Sequence, residues 1–254
     1  MECKGRVAIV TGAGSGLGAE TARHLAKLGA RVALWDKDKQ AVKAVAKEVQ
    51  GLAVICNVSE ASSVEQALTE TQQSLGKPAI CINCAGIAPS KKILNREGVM
   101  PLSDFNEVIT VNLLGTFNVL RVVAQAMTDN EADLINGERG IIINTASIAA
   151  FEGQMGQTAY SASKGGIVAL TLPAARELAQ YGIRVMTIAP GLIATPLLMN
   201  MPQNIQQSLI QAVPFPKRFG QPQEFASLVQ HIIENVLLNG EVIRLDGGLR
   251  MAAK

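Results

Sequence analysis

Tyr160 and Lys164 stand four residues apart in Thr158-Ala-Tyr-Ser-Ala-Ser-Lys164, a small-residue-rich segment that reads as helix. At that spacing both side chains fall on one helix face, within mutual reach. A free phenol titrates near pH ~10, and a neighbouring ammonium favours the phenolate, so Lys164 is expected to lower the Tyr160 pKa and yield a base working closer to neutrality. Ser147 adds a hydroxyl at the end of Gly140 to Ala146, an apolar run that reads as a buried strand. A Tyr followed four residues later by a Lys also occurs in helices that do no chemistry, so the rest of the chain must decide.

A second group of residues suits a nucleotide. Gly12, Gly14, Gly16 and Gly18 lie where the strand Arg6–Thr11 hands over to a helix, a place where backbone amides and the positive helix end hold a pyrophosphate. The pattern is Thr-Gly-x-x-x-Gly-x-Gly. It is not the G-x-G-x-x-G fingerprint, which would put glycine at Leu17, nor a Walker loop, which would end in Gly-Lys-Ser/Thr. The expected contacts of the turn are Gly12, Ser15, Gly16, Leu17 and Gly18; a purely structural glycine turn is the alternative. Asp36 ends the second strand, where a carboxylate accepts from both ribose hydroxyls of NAD and repels the 2′-phosphate of NADP. Lys37 beside it weakens that preference, Ser15 brings no positive charge to the turn, and Asp36 serving only as a helix cap is the plainer reading.

The elements that must position these residues alternate strictly. Strands are expected at Arg6–Thr11, Arg31–Trp35, Leu52–Cys56, Pro78–Asn83, Gly140–Ala146, Ile183–Ala189 and Glu241–Leu245, each but the last followed by a helix or a helix-bearing segment. Right-handed crossovers then give a single-domain α/β fold over 1–254, Rossmann-like and doubly wound, with a seven-stranded parallel sheet and helices on both faces. A long amphipathic helix is expected from about Ser103, its N-cap, to Met127, and the Tyr160 helix continues to about Gln180 with a local bend or lost hydrogen bond at Pro173. Leu192 to Gly220 is longer than a connector needs and reads as a lid or binding loop.

Bulk composition narrows the partner. A chain of 254 residues with 48% hydrophobic and 17% charged residues holds a large core, and a net charge of +2 gives no reason to expect nucleic acid or membrane. Val185 to Met199 is broken by Pro190, Gly191 and Pro196, so it does not span a bilayer as one helix. Cys3, Cys56, Cys81 and Cys84 follow no secretory signal and are expected as reduced, buried thiols in a cytoplasmic protein, or a mitochondrial one in a eukaryote. Cys81-x-x-Cys84 has redox or zinc spacing, but no second pair completes a metal site, and no metal is expected. His24 and His231 are isolated and read as structural. The expected partner is a small molecule.

In the order Thr11-Gly12-x-x-x-Gly16-x-Gly18, Asn83-Cys84-Ala85-Gly86, Asn112, Ser147, Tyr160-x-x-x-Lys164 and Pro190-Gly191, the sequence resembles the short-chain dehydrogenase/reductase family over essentially its whole length. More narrowly, Gly140 to Pro196 and Val213 to Met251 resemble its type-2 3-hydroxyacyl-CoA dehydrogenase branch, also called 17β-hydroxysteroid dehydrogenase type 10. The resemblance implies an NAD-dependent oxidoreductase interconverting a secondary alcohol and a ketone, with acyl-CoA as substrate. Ser147 would hydrogen-bond the substrate oxygen, Tyr160 would act as general base or acid, Lys164 would bind the nicotinamide ribose, and Asn112 would hold the long helix open for a proton-relay water. Asn57 and Val58 would touch the adenine, with Asn57 standing where many relatives have Asp. Asn83, Ala85 and Gly86 would line the adenosine ribose, and Thr195, after Pro190-Gly191, would contact the carboxamide. Cys84 replaces a second Asn and is expected to pack. A homotetramer joined through the long helices is also implied. Lys91, Lys92 and Arg96 beside the expected substrate entrance either hold the phosphates of coenzyme A or form an ordinary solvated loop. An NAD-linked hydroxysteroid or short alcohol dehydrogenase, and a nucleotide-binding scaffold without catalysis, are the competing functions.

Overall fold

The computed structural model describes residues 1–96 and 98–253, with Leu197 through its backbone only; Glu97, in the basic loop, and Lys254 lie outside the described residues. Strands β1 (Val7–Thr11), β2 (Arg31–Asp36), β3 (Leu52–Ile55) and β4 (Pro78–Asn83) are linked by helices α1 (Gly16–Lys27), α2 (Lys39–Val49) and α3 (Ala61–Leu75). A two-stranded hairpin, β5 (Leu94–Asn95) with β6 (Gly98–Val99), precedes a long helix made of α4 (Leu102–Ile109), a π-helical stretch Thr110–Leu114 and α5 (Gly115–Met127). Then come β7 (Gly140–Thr145), a 3₁₀ turn Ile148–Ala150, α6 (Thr158–Ala179), β8 (Ile183–Pro190), α7 (Pro196–Met199), α8 (Gln203–Ala212), α9 (Pro222–Glu234) and β9 (Val242–Leu245).

Seven strands form one all-parallel sheet in the order β3-β2-β1-β4-β7-β8-β9. Successive strand residues point to opposite faces, so each strand feeds two cores. Ala8, Val10, Ile80, Ile82, Ile141 and Ile143 pack with Leu25 of α1 and Phe225 and Val229 of α9 on one face. Ile9, Cys81 and Ile142 pack with Val64 of α3 and Val119 and Val123 of α5 on the other. Both faces are therefore sealed, as strands made almost wholly of apolar residues require.

The element order follows the sequence expectation, with local differences. Helix α1 begins at Gly16, so the glycine turn itself supplies the first helical residues. The long helix starts at Leu102 with Pro101 as its cap and no side-chain cap bond, so Ser103 is not the N-cap. Proline at that position lies outside the ladder and gives up no helical hydrogen bond. Helix α6 continues through Pro173, whose ring nitrogen carries no hydrogen, so one bond of the ladder is lost there as expected. The segment after β8, expected as a lid or binding loop, contains a ten-residue helix, α8.

Candidate active site

The chain runs outward from β1 to β3, then returns to place β4 on the other side of β1. Open α/β sheets bind ligands at such a reversal, beyond the carboxyl ends of the strands. A cavity of about 730 Å³ lies there, lined by residues following β1, β2, β4, β7 and β8 and by side chains of α7 and α8.

At its β1 end, Gly12 and Gly16 adopt φ of +63° and +53°, values that favour glycine. A Cβ on Gly12 would lie 2.8 Å from the Ala85 nitrogen, and one on Gly18 would run into the Gly12 carbonyl. The turn thus folds directly onto the strand beneath and the loop after β4. Thr11 Oγ1 closes that junction by accepting from the Cys84 and Ala85 amides, both at 3.1 Å. Ser15 caps α1 without a side-chain hydrogen bond, leaving the amides of the first helical turn facing the cavity that Ser15, Gly16, Leu17 and Gly18 line. That is a fit for a pyrophosphate.

Asp36 lines the same cavity. Its Oδ2 accepts from the Gly14 amide at 2.9 Å and its Oδ1 from the Asp38 amide at 2.9 Å, which fixes the carboxylate at the mouth of the turn. The cap of α2 is Asp38, whose side chain accepts from Gln40 and Ala41, so the helix-cap role falls to another residue. Asn57 and Val58 line the next stretch of wall. The Asn57 amide oxygen already accepts from the Ser59 amide at 3.2 Å, and its nitrogen donates to Glu60 at 2.7 Å.

The chemistry-bearing residues converge at the other end. Ser147, half-buried after β7, accepts from the Ala149 amide at 3.1 Å and is hydrogen-bonded to the Tyr160 phenol. Lys164 is buried; its Nζ donates to the Thr145 carbonyl at 2.7 Å and sits 5.8 Å from the centre of the Tyr160 ring. Burial raises the phenol above its ordinary value, the Ser147 bond offsetting part of the rise. The expectation that Lys164 lowers the Tyr160 pKa is thus not met among the protein's own groups, because the ammonium is turned to a carbonyl. Lys164 itself is pushed down to about 8, chiefly by burial.

Asn112 lies on the π-helical stretch, wholly buried behind this wall. Its Oδ1 accepts from the Ile87 amide at 2.8 Å; its Nδ2 donates to the Ile87 carbonyl at 2.9 Å and to Ser163 Oγ at 3.0 Å. Ser163 in turn donates to the Tyr160 carbonyl at 2.7 Å. One amide therefore ties the loop after β4 and the helix bearing Tyr160 to the long helix. A π-turn widens the helix at the position that the family pattern assigns to Asn112.

Ala85, Gly86, Pro190, Gly191 and Thr195 also line the cavity, but Asn83 does not. Asn83 is buried in β4 and donates its amide to Asn144 Oδ1 at 2.9 Å, so it braces β4 against β7 instead of facing a ribose. Cys84 lines the wall, accepts from Thr145 Oγ1 at 3.6 Å and is pushed up to about 11 by burial, an unreactive thiol. Lys91 is ion-paired with Asp104 at 2.8 Å, while Lys92 and Arg96 are exposed.

Several lining residues carried no sequence signal. Gln154, Met155, Gln157 and Met251 reach the cavity from the segment before α6 and from the chain beyond β9. Leu198, Met201, Ile205 and Leu209 of the expected lid also face it.

The family model for short chain dehydrogenases matches residues 6–206. The 3-hydroxyacyl-CoA dehydrogenase type-2 of Rattus norvegicus is 53% identical over 98% of this chain and 96% of its own length, and that of Homo sapiens is 53% identical with the same coverage. A crystal structure of 3-hydroxyacyl-CoA dehydrogenase type-2 from Mycobacterium avium superposes with a TM-score of 0.93 at 39% identity, covering 100% of both chains.

Proposed function

The chain belongs to the short-chain dehydrogenases, an oxidoreductase family, and from that membership we propose that it is an NAD-dependent enzyme interconverting 3-hydroxyacyl-CoA and 3-oxoacyl-CoA. The observation that carries the reading is one continuous cavity running from Asp36 and the glycine turn to Ser147 and Tyr160. The substrate class follows the similarity to the type-2 3-hydroxyacyl-CoA dehydrogenases.

Gly12, Ser15, Gly16, Leu17 and Gly18 would hold the pyrophosphate and Asp36 the adenosine ribose, with Asn57 and Val58 at the adenine and Thr195 at the carboxamide. The Asp36 carboxylate, already held by two amides, accepts from ribose hydroxyls and repels a 2′-phosphate, which favours NAD. Bound there, NAD supplies the two-electron acceptor for the alcohol carbon. Ser147 orients the substrate oxygen, and Tyr160 takes its proton in oxidation and returns it in reduction. Lys164 would bind the nicotinamide ribose, and Asn112 keeps the two helices and the loop after β4 in register.

A homotetramer joined through the long helices is part of the same reading. On the long helix from Leu102 to Met127, the apolar side chains of Leu114 and Phe117 stay more than half exposed. A partner helix would cover that face.

Following NADH absorbance with acetoacetyl-CoA, a steroid ketone and a short CoA-free ketone tests the substrate class. Preferential turnover of acetoacetyl-CoA is expected. Preference for the steroid or the free ketone would move the assignment to a hydroxysteroid or alcohol dehydrogenase, and absence of any turnover would leave a nucleotide-binding scaffold.

A further inference from the structure

Between Ser147 and Tyr160 the chain makes a loop whose Glu152 takes no part in the proton chemistry, yet it meets a dense charge cluster. Arg244 of β9 donates from Nη1 to Glu152 Oε1 at 2.7 Å and from Nη2 to Oε2 at 2.8 Å, a bidentate fork. The same guanidinium donates from Nε to Asp246 at 2.7 Å and from Nη2 to the Leu249 carbonyl at 3.0 Å, and lies 5.1 Å from the centre of the Phe151 ring. Arg250 closes the cluster, 3.4 Å from Glu152 and 3.3 Å from Asp246.

The cluster joins two segments that are distant in sequence and both line the cavity. Two residues past Glu152, Gln154 donates from its amide to the Ala252 carbonyl at 3.1 Å, and the Met155 nitrogen donates to the Ala253 carbonyl at 3.1 Å. Leu249 packs with Ile148 and Val213, against which Met251 also rests, and the Phe215 amide donates to the Gly247 carbonyl at 3.3 Å. The segment beyond β9 is thus strapped to the loop before α6 on one side and to the base of the lid on the other. Met155 and Met251 are among the side chains that these contacts deliver to the cavity wall.

We propose that Glu152 and Arg244 are positioning residues that set chain-length preference by fixing the Met155–Met251 wall against which the distal part of an acyl chain lies. This rests on the 3-oxoacyl-CoA reading of the same cavity. Ser147 and Tyr160 are held by other contacts: the former by the Ala149 amide at the end of β7, the latter on α6, which Ser163 and Asn112 tie to the long helix. Breaking the fork therefore loosens the wall and leaves the reacting end in place. On this proposal a four-carbon acyl group ends short of that wall and a ten-carbon one reaches it.

Glu152→Gln and Arg244→Lys separate this from a general structural role, since each keeps size or charge while losing the paired fork. Both are expected to raise KM for 3-oxodecanoyl-CoA at least about fivefold while kcat, KM for acetoacetyl-CoA and the NADH Kd stay within about twofold. Equal KM shifts for both chain lengths, or no shift in either variant, would overturn the proposal while turnover by the unsubstituted enzyme leaves the substrate class standing. If the unsubstituted enzyme turns over neither acyl-CoA, the substrate class fails and the proposal with it.

Discussion

The phenol of Tyr160 and the ammonium of Lys164 are each disfavoured as charges by burial, in opposite directions along the pH scale. The form with a neutral lysine and the form with a phenolate beside an ammonium contain the same number of protons, so the pair loses its first proton at or below the lysine value of about 8. Alcohol oxidation needs the deprotonated pair and is expected to rise with pH through that region. In Lys164→Met the phenol stands alone, raised by burial, and the rise should move above the ordinary phenol value near ~10; an unshifted profile would show that the pair does not titrate together. Asp36→Ala removes a charged acceptor, so the KM for NAD should increase about tenfold or more while discrimination against NADP narrows, read from the two cofactors' kcat/KM. Residue types and spacing made Tyr160, Lys164, Ser147 and Asp36 legible as a set, because chemistry fixes them within local patterns. The direction of the Tyr160 shift and the inward turn of Asn83 were not legible, since both depend on what long-range neighbours bury and bond.

Where helices begin and widen decides how these side chains are held. Asn112 closes three hydrogen bonds across the π-helical stretch, so Asn112→Ala strands buried partners at Ile87 and Ser163. The expected result is about 1–3 kcal/mol lost in denaturant unfolding together with reduced kcat, because the Tyr160 helix loses its tie. Helix α9 starts with a capping box of Gln221 and Glu224, and Arg218 grips the same carboxylate at 2.7 and 2.8 Å. These bonds, the Arg218 fork first, hold Glu224 down to about 2. The contribution is present above the unfolded carboxylate range near ~4.3 and is lost as pH falls toward 2. Glu224→Gln should therefore flatten the fall of Tm across that acid window and leave its slope near neutrality unchanged. Screening at this half-exposed pair keeps the effect under about 1 kcal/mol. Strands and helices were readable from the period of their apolar residues, whereas the β5–β6 hairpin, two residues a side, is too short to carry a period, and the Pro101 start offers no side-chain signal.

At the scale of the molecule, the sheet order brings Gly12, Asp36, Cys84, Ser147 and Pro190 from five strand ends to one cavity. Alternation of strands and helices implied a doubly wound sheet, but nothing in that pattern showed that the segment beyond β9 folds back to supply Met251. That contact pairs segments almost a hundred residues apart in sequence and has no periodic signature. The exposed Leu114 and Phe117 belong to this scale too: sedimentation is expected to give four times the 26.8 kDa chain, and Phe117→Lys to give a smaller species. The central claim is that Tyr160 moves the proton of an NAD-linked 3-hydroxyacyl-CoA dehydrogenation. It is tested most directly by NADH oxidation with acetoacetyl-CoA in the unsubstituted protein and in Tyr160→Phe, with NADH affinity measured alongside by fluorescence. The account predicts turnover that falls by about 10²–10⁴-fold in the variant while the NADH Kd stays within about threefold; a variant that retains the rate, with the same NADH affinity, would contradict it.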